Sequence, residues 1–266
     1  MARAAILYRN LADEGAVTAS SWIAAAPPAT LQDPHTTRRW KGRNGDAESI
    51  TLSFSSAQLI DTVALIKCDG VFTGDQRALS AAATRRVRVA SADPTGVAGD
   101  LYDSGTAAGR IDPAYAALVE LLDAPVSAIA VRIDLAESGA EALLAGRLVV
   151  GRREAFAFNF AFGWSFGCAD LSRLKKSAGG QTFIDRDDRY RLLNVSFEWV
   201  NSAQRFGVVQ EADRLNGISQ DVLFVTNPKS DNLGRDSVWG LMQDLSPPTQ
   251  PHFGFFAKSY SIAERL

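Results

Sequence analysis

The sequence predicts a mainly β protein: an N-terminal antiparallel β-sandwich followed by a smaller, β-rich α+β domain. Three observations carry this. Residues 1–153 hold short runs in which polar and apolar side chains alternate, the period of a half-buried strand. Loops of Gly, Pro, Asp and Ser separate these runs, with no helical pattern regularly interposed, which argues against βαβ units. Beyond Arg153 the texture becomes aromatic, so the domains are placed at 1–153 and 154–266. A chain of 266 residues also exceeds the ~250 at which one hydrophobic core usually stops growing.

In chain order, residues 49–54 (SITLSF) read as a strand, and residues 61–68 (DTVALIKC) as a second one after a short loop. Residues 85–93 (RRVRVASAD) set Val87 and Val89 against Arg86 and Arg88, one face buried and the other charged. The segment 112–122 (DPAYAALVELL) has a helical look. In 126–136 (VSAIAVRIDLA), Ile129, Val131, Ile133 and Leu135 share one side of the pleat, and 146–151 (GRLVVG) adds a short strand. In the second domain Phe156, Phe158, Phe160 and Phe162 fall on alternate positions and so on one face. Residues 182–200 read as a hairpin about the polar DRDDR, and 202–215 as a helix stopped by Gly217. Residues 221–227 (DVLFVTN) and the alternating C-terminal run supply the remaining strands.

Composition excludes several function classes. Hydrophobic residues are 46% and charged residues 22%, typical of a globular chain, and 30 acidic against 28 basic residues leave a net charge of −2. No global field draws this protein to nucleic acid. No apolar run approaches the ~18 residues of a membrane span. The first residues, MARAAILYRN, carry too short an apolar run for a secretory signal. Cys68 and Cys168 form no CxxC pair and read as buried free thiols. No phosphate-cradling glycine motif occurs.

GWSFG, residues 163–167, satisfies the G-x-S-x-G nucleophile pattern, and Ser165 is followed by Asp221, Asp236 and then His252, an order that a hydrolase triad can take. The strand-rich surroundings lack the alternating strands and helices that such an elbow needs, so a serine hydrolase ranks third and no catalytic residue is assigned. A tight turn anchored by Trp164 and Phe166 explains the motif. His35 and His252 are the only histidines, too few for a His-based zinc site, and DRDDR lacks the glycine and distal glutamate of an EF-hand loop.

VTASSW (17–22), LQDPHTTRRW (31–40), ESITLSF (48–54) and TRRVRVAS (84–91) together resemble the discoidin-like, or galactose-binding-like, jelly roll. The counterparts of its turn, Asp, Thr and Trp are Ala19, Ser20, Ser21, Asp33, Thr36 or Thr37, and Trp40. The resemblance implies a jelly-roll fold, a tryptophan packed under the sandwich, no cofactor, and room for a structural calcium near Asp33 and Thr36. The continuation GRLVVGRREAFAFNFAFGWSFG, with SAGGQTFIDRDDRYRLLNVSFEW and KSYSIAERL, is similar to tailed-bacteriophage tail and baseplate proteins. That likeness implies a non-enzymatic structural component of the virion tail, made in the host cytoplasm. It would assemble with other tail proteins as a homo-oligomer, a trimer or hexameric ring.

The alternative function is carbohydrate binding, with a host-surface glycan as partner. Trp22, Arg38, Arg39, Trp40, Lys41 and Arg43 are the contact candidates for either reading, since aromatic rings beside cations suit both sugar stacking and protein interfaces. In the leading reading Arg38, Arg39, Lys41 and Arg43 stay exposed and face an acidic neighbour.

Overall fold

The alternating runs pair into antiparallel ladders throughout, giving a mainly β structure. The computed structural model describes residues 3–266 and divides into two compact units. One runs to Ala155 and also takes in Val222–Ser237; the other comprises Phe156–Asp221 and Val238–Leu266.

In the first unit two sheets enclose one apolar core. The larger runs in the order Arg147–Gly151, Glu48–Ile66, Ala117–Ala136, Thr84–Ala90, Tyr102–Asp103, and the smaller in the order Trp40–Lys41, Ala142–Ala145, Asp69–Phe72, Asp75–Ala78. The two-residue period decides which side chains enter. Val87 and Val89, with Val131, Ile133 and Leu135 beside them, join Trp40, Leu143 and Ala145 of the smaller sheet in a single cluster. Each fully buried aliphatic side chain of this size stabilises the fold by about 1.5–3 kcal/mol. Ala5–Leu7 forms a further ladder, between Glu154–Ala155 and Asp221–Val225. Arg235 binds Asp112 at 2.8 Å, fixing the returning segment by its side chain as well.

A buried carboxylate sets the loops at one end of this sandwich. Glu48 is 3% exposed and accepts hydrogen bonds from the hydroxyls of Ser20 and Ser21 and from the backbone N–H groups of Arg43 and Asn44, the last two at 3.0 Å. The turn 20–21 and the loop 43–44 are thereby held to one strand end. Gly42 is required beside them, because a Cβ there would lie 2.8 Å from the Glu48 carboxylate.

Several expected elements differ. Residues 49–54 and 61–68 are not two strands parted by a loop; Glu48–Ile66 is one strand, because the intervening stretch holds no turn-forming Gly, Pro, Asn or Asp and stays paired to 126–128. Residues 112–122 are not helical. Ile111–Asp112 turns back on Ala117–Leu118, and Ala117–Ala136 pairs with Glu48–Ile66 from Ala117↔Ile66 onward, so strand pairing overrides the helix propensity of Ala and Leu. Ile129 is only half-buried, since a register shift between Ala128 and Ala130 takes it out of the inward row.

In the second unit, strands run in the order Ser237–Met242, Phe255–Glu264, Arg189–Asn201, Ser165–Asp170, with Thr249–His252 also on Phe255–Glu264. Its core is aromatic: Phe156 stacks on Phe197 at 3.9 Å, with Tyr260 edge-on to Phe197 at 6.2 Å. The expected helix is present, as Ser202–Gln204, a π-turn Arg205–Val209 and Gln210–Asn216, capped by the Asn201 side chain and ended by Gly217 at φ 52°.

The expected hairpin over 182–200 is replaced by two pairings. Thr182–Asp185 folds back on Arg173–Lys176 across the positive-φ Gly180, whereas Arg189–Asn201 pairs with Ser165–Asp170 and Phe255–Glu264. Nor do the alternating phenylalanines share a face: residues 156–164 form no strand, leaving Phe156 buried but Phe158 and Phe162 exposed.

Replacing Glu48 by Gln keeps the shape but removes one acceptor oxygen from a buried site with four donors. The E48Q variant should lose about 1–3 kcal/mol of stability, measured by urea unfolding, and an unchanged midpoint would refute the role given to Glu48.

Candidate functional site

The smaller sheet of the first unit has an inner and an outer face. Trp40 pairs with Ala145 on the inner one, so the next residues along, Lys41 and Leu144, face outward in one row with Asp69. Gln76 pairs with Val71, two residues beyond Asp69, and shares that face. Segments 25–30 and 37–39 rise beside the sheet and leave a cleft of about 640 Å³.

Ala25, Ala26 and Leu144 supply apolar surface to this cleft, Thr30, Thr37 and Gln76 supply hydroxyls and an amide, and Arg38, Arg39 and Lys41 supply charge. The main chain is fixed here by hydrogen bonds from Ile23 N to Lys41 O at 3.1 Å and from Lys41 N to Ala26 O at 3.2 Å. Arg39 is half-buried, donating to the Thr36 carbonyl at 3.0 Å and pairing with Asp69. Arg38 is exposed and pairs with Asp33 at 3.1 Å. The Asp33 carboxyl titrates below the usual carboxylate range, chiefly through the backbone N–H of His35, with the His35 ring and Arg38 adding to it.

Of the six contact candidates, the structure brings Arg38, Arg39 and Lys41 to this cleft. Trp40 is corrected to a core residue: it is 0% exposed, and its Nε1 donates to the Ser21 carbonyl at 3.0 Å. Trp22 is 44% exposed, and its carbonyl accepts from Arg43 Nε at 2.9 Å, but neither side chain lines the cleft. The four cations are not uniformly exposed either, since Arg39 and Lys41 are half-buried against the sheet. Ala25, Ala26, Thr30, Gln76 and Leu144 are the cleft residues that sequence reasoning missed; no polar–apolar alternation marks Ala142–Ala145, so Leu144 carried no local signal.

The other candidate chemistries do not assemble. Asp33 has its carboxylate oxygens engaged by His35 N–H, the His35 ring and the Arg38 guanidinium, a set that does not fit a calcium ion. No group of three or more His, Cys, Asp and Glu side chains is placed to hold a metal among the described residues. Ser165 begins a strand rather than standing on a strand–helix elbow, and its hydroxyl accepts from Asn194 Nδ2 at 3.1 Å. His252 is stacked on Trp199 at 4.7 Å, and Asp221 accepts from Trp239 Nε1 at 2.7 Å. In DRDDR, Arg189 pairs with Asp170 at 2.9 Å rather than with its neighbours. Cys68 is buried, which pushes its thiol pKa up, but Cys168 is exposed because it lies on an edge strand.

The sequence matches no protein-family model and no curated protein. Among solved structures, the chain is similar to the lectin domain of lectinolysin complexed with Lewis B antigen, at 13% identity and TM-score 0.41, over 54% of this chain and 96% of that one. It is similar to the family 32 carbohydrate-binding module of C. perfringens NanJ in complex with galactose, at 13% identity and TM-score 0.41, over 57% and 99% of the two chains. A Streptococcus pneumoniae fucose-binding module matches at 12% identity and TM-score 0.40, over 55% and 99%.

Because Trp40 is core rather than surface, the W40A variant should cost about 3–5 kcal/mol of stability. Differential scanning calorimetry reads this directly, and a variant as stable as the parent would return Trp40 to the surface candidates.

Proposed function

We propose that the first unit is a non-catalytic carbohydrate-binding module whose ligand lies in the outer-face cleft. The observation that supports this best is the composition of the cleft, an apolar strip of Ala25, Ala26 and Leu144 bordered by Thr30, Thr37, Gln76 and three cationic side chains. A pyranose presents an apolar C–H face and a ring of hydroxyls, so it needs flat apolar contact together with several fixed donors and acceptors. Arg39 is suited to this because Asp69 and the Thr36 carbonyl already hold its guanidinium in place, which lowers the entropy lost on binding.

Ala25 is exposed at the edge of the cleft, and a tryptophan there would fill it without touching the core. On a glycan array the parent protein should bind a subset of saccharides, and A25W should weaken that binding at least about tenfold, roughly the loss of 1.4 kcal/mol, with unchanged melting. Binding that survives A25W, or no saccharide bound by the parent, would refute the proposal.

A second reading, assembly, is favoured by a separate observation in the second unit. Among the described residues, only Trp22, Leu59 and Val97 of the exposed large hydrophobics lie in the first unit; the rest, including Phe162, Leu174, Phe183, Trp199 and Phe253, lie in the second. The hairpin Arg173–Lys176 with Thr182–Asp185 is exposed at all of its strand positions. Apolar surface of this kind marks contact surfaces, as expected of a subunit in a phage tail tip or baseplate. Light scattering after size exclusion should give a trimer or hexamer for the parent and a smaller species for the L174S/F183S double variant. A monomeric parent at micromolar concentration would count against assembly.

A further inference from the structure

We infer that the outer-face cleft takes an anionic saccharide, with Lys41 holding its carboxylate or sulfate. This deepens the carbohydrate reading of the same cleft and rests on it. Arg38, Arg39 and Lys41 line the cleft, and the two carboxylates beside them, Asp33 and Asp69, leave a surplus of one positive charge. Two of these cations already have counterions, Arg38 in Asp33 and Arg39 in Asp69. Lys41 has no ion-pair partner among the described residues, although it is half-buried in the outward row beside Leu144.

The Lys41 stem is half-buried against the sheet, which limits where its ammonium can reach, and that charge is not matched by a carboxylate of the protein among the described residues. An acid group on the ligand gains a charge-assisted hydrogen bond there that a neutral sugar cannot make. The ammonium is a compact point charge with three rotatable donors, so it accepts a carboxylate or a sulfate without the fixed planar geometry that a guanidinium imposes. Thr37 and Gln76 remain for the uncharged hydroxyls, with Thr30 able to accept only, since its hydroxyl donates to the Pro27 carbonyl at 2.7 Å. The net charge of −2 keeps the positive potential local, which favours a saccharide with one or a few acid groups over a long polyanion.

The test uses the full chain. A glycan array that pairs neutral members with uronate-bearing and sulfated counterparts identifies the bound class. Calorimetric titration then compares galactose, galacturonic acid and galactose 6-sulfate, which differ only at C6, along with the paired members that the array selects. At least one acidic member should bind about tenfold more tightly than its neutral partner, the worth of one charge-assisted hydrogen bond. That preference should vanish in Lys41→Gln, persist in Lys41→Arg, and shrink as salt is raised. Arg38→Gln, at an exposed position, gives a second variant that should reduce the preference if Lys41→Gln fails to fold.

Preference for uronates alone or for sulfated sugars alone supports the inference and names the acid. Equal binding of neutral and acidic partners, or a preference unchanged in Lys41→Gln and Arg38→Gln, overturns it while the carbohydrate reading stands. Failure of every array member to bind overturns both, as does Lys41-dependent binding of an acidic peptide or RNA with no saccharide bound.

Discussion

The buried Glu48 carboxylate is the constraint on which the site end of the first unit depends. Among the described residues it has no ion-pair partner; four donors from two separate loops, Ser20, Ser21, Arg43 and Asn44, converge on it instead. A charge taken out of water is tolerable only when it is fully hydrogen-bonded, so these loops have one low-energy arrangement. From that arrangement follow the Trp40–Ser21 hydrogen bond and the run of backbone bonds joining Ile23, Ala26 and Lys41. The wall of the cleft is therefore set by a group that never reaches it.

The two units treat their polar and apolar groups differently. In the first, even deeply placed cations are neutralised: Arg147, 2% exposed, grips both oxygens of Asp13 at 2.6 and 2.7 Å, and Arg85 pairs with Glu120 at 2.7 Å. Against that background Lys41, half-buried, has no ion-pair partner among the described residues. In the second unit Lys258 also pairs with a carboxylate inside, Asp213 at 2.7 Å, yet aromatic and aliphatic side chains remain on the outside.

Much of the fold was legible because a two-residue alternation has a single meaning when one face is buried. Val87 and Val89 beside Arg86 and Arg88 could only be a sheet strand, and Trp40 after Thr36 and Thr37 reads as the entry to a sandwich. The errors arose where local signals compete with distant pairing. Residues 112–122 carry helix formers, but Ile66 is waiting for Ala117 far along the chain. Polar DRDDR looks like a hairpin tip, but Gly180 supplies the cheaper turn one strand earlier. The basic half of the site was readable as a run of cations; the apolar and neutral half was not, because Gln76 and Leu144 meet Lys41 only through strand order.

The return of Val222–Ser237 to the first unit has a consequence for how the protein comes into being. Ala5–Leu7, made before residues 156–221, must wait for Asp221–Val225 before its second ladder can close. During synthesis the N-terminal sandwich thus emerges with one strand edge open, and it stays open while the whole of 156–221 is translated. Nor can the first unit be cut out as a contiguous fragment. A truncation after Ala155 leaves Ala5–Leu7 with an unpaired edge, a template for pairing with other chains, so the unit is a domain in space without being one in the gene.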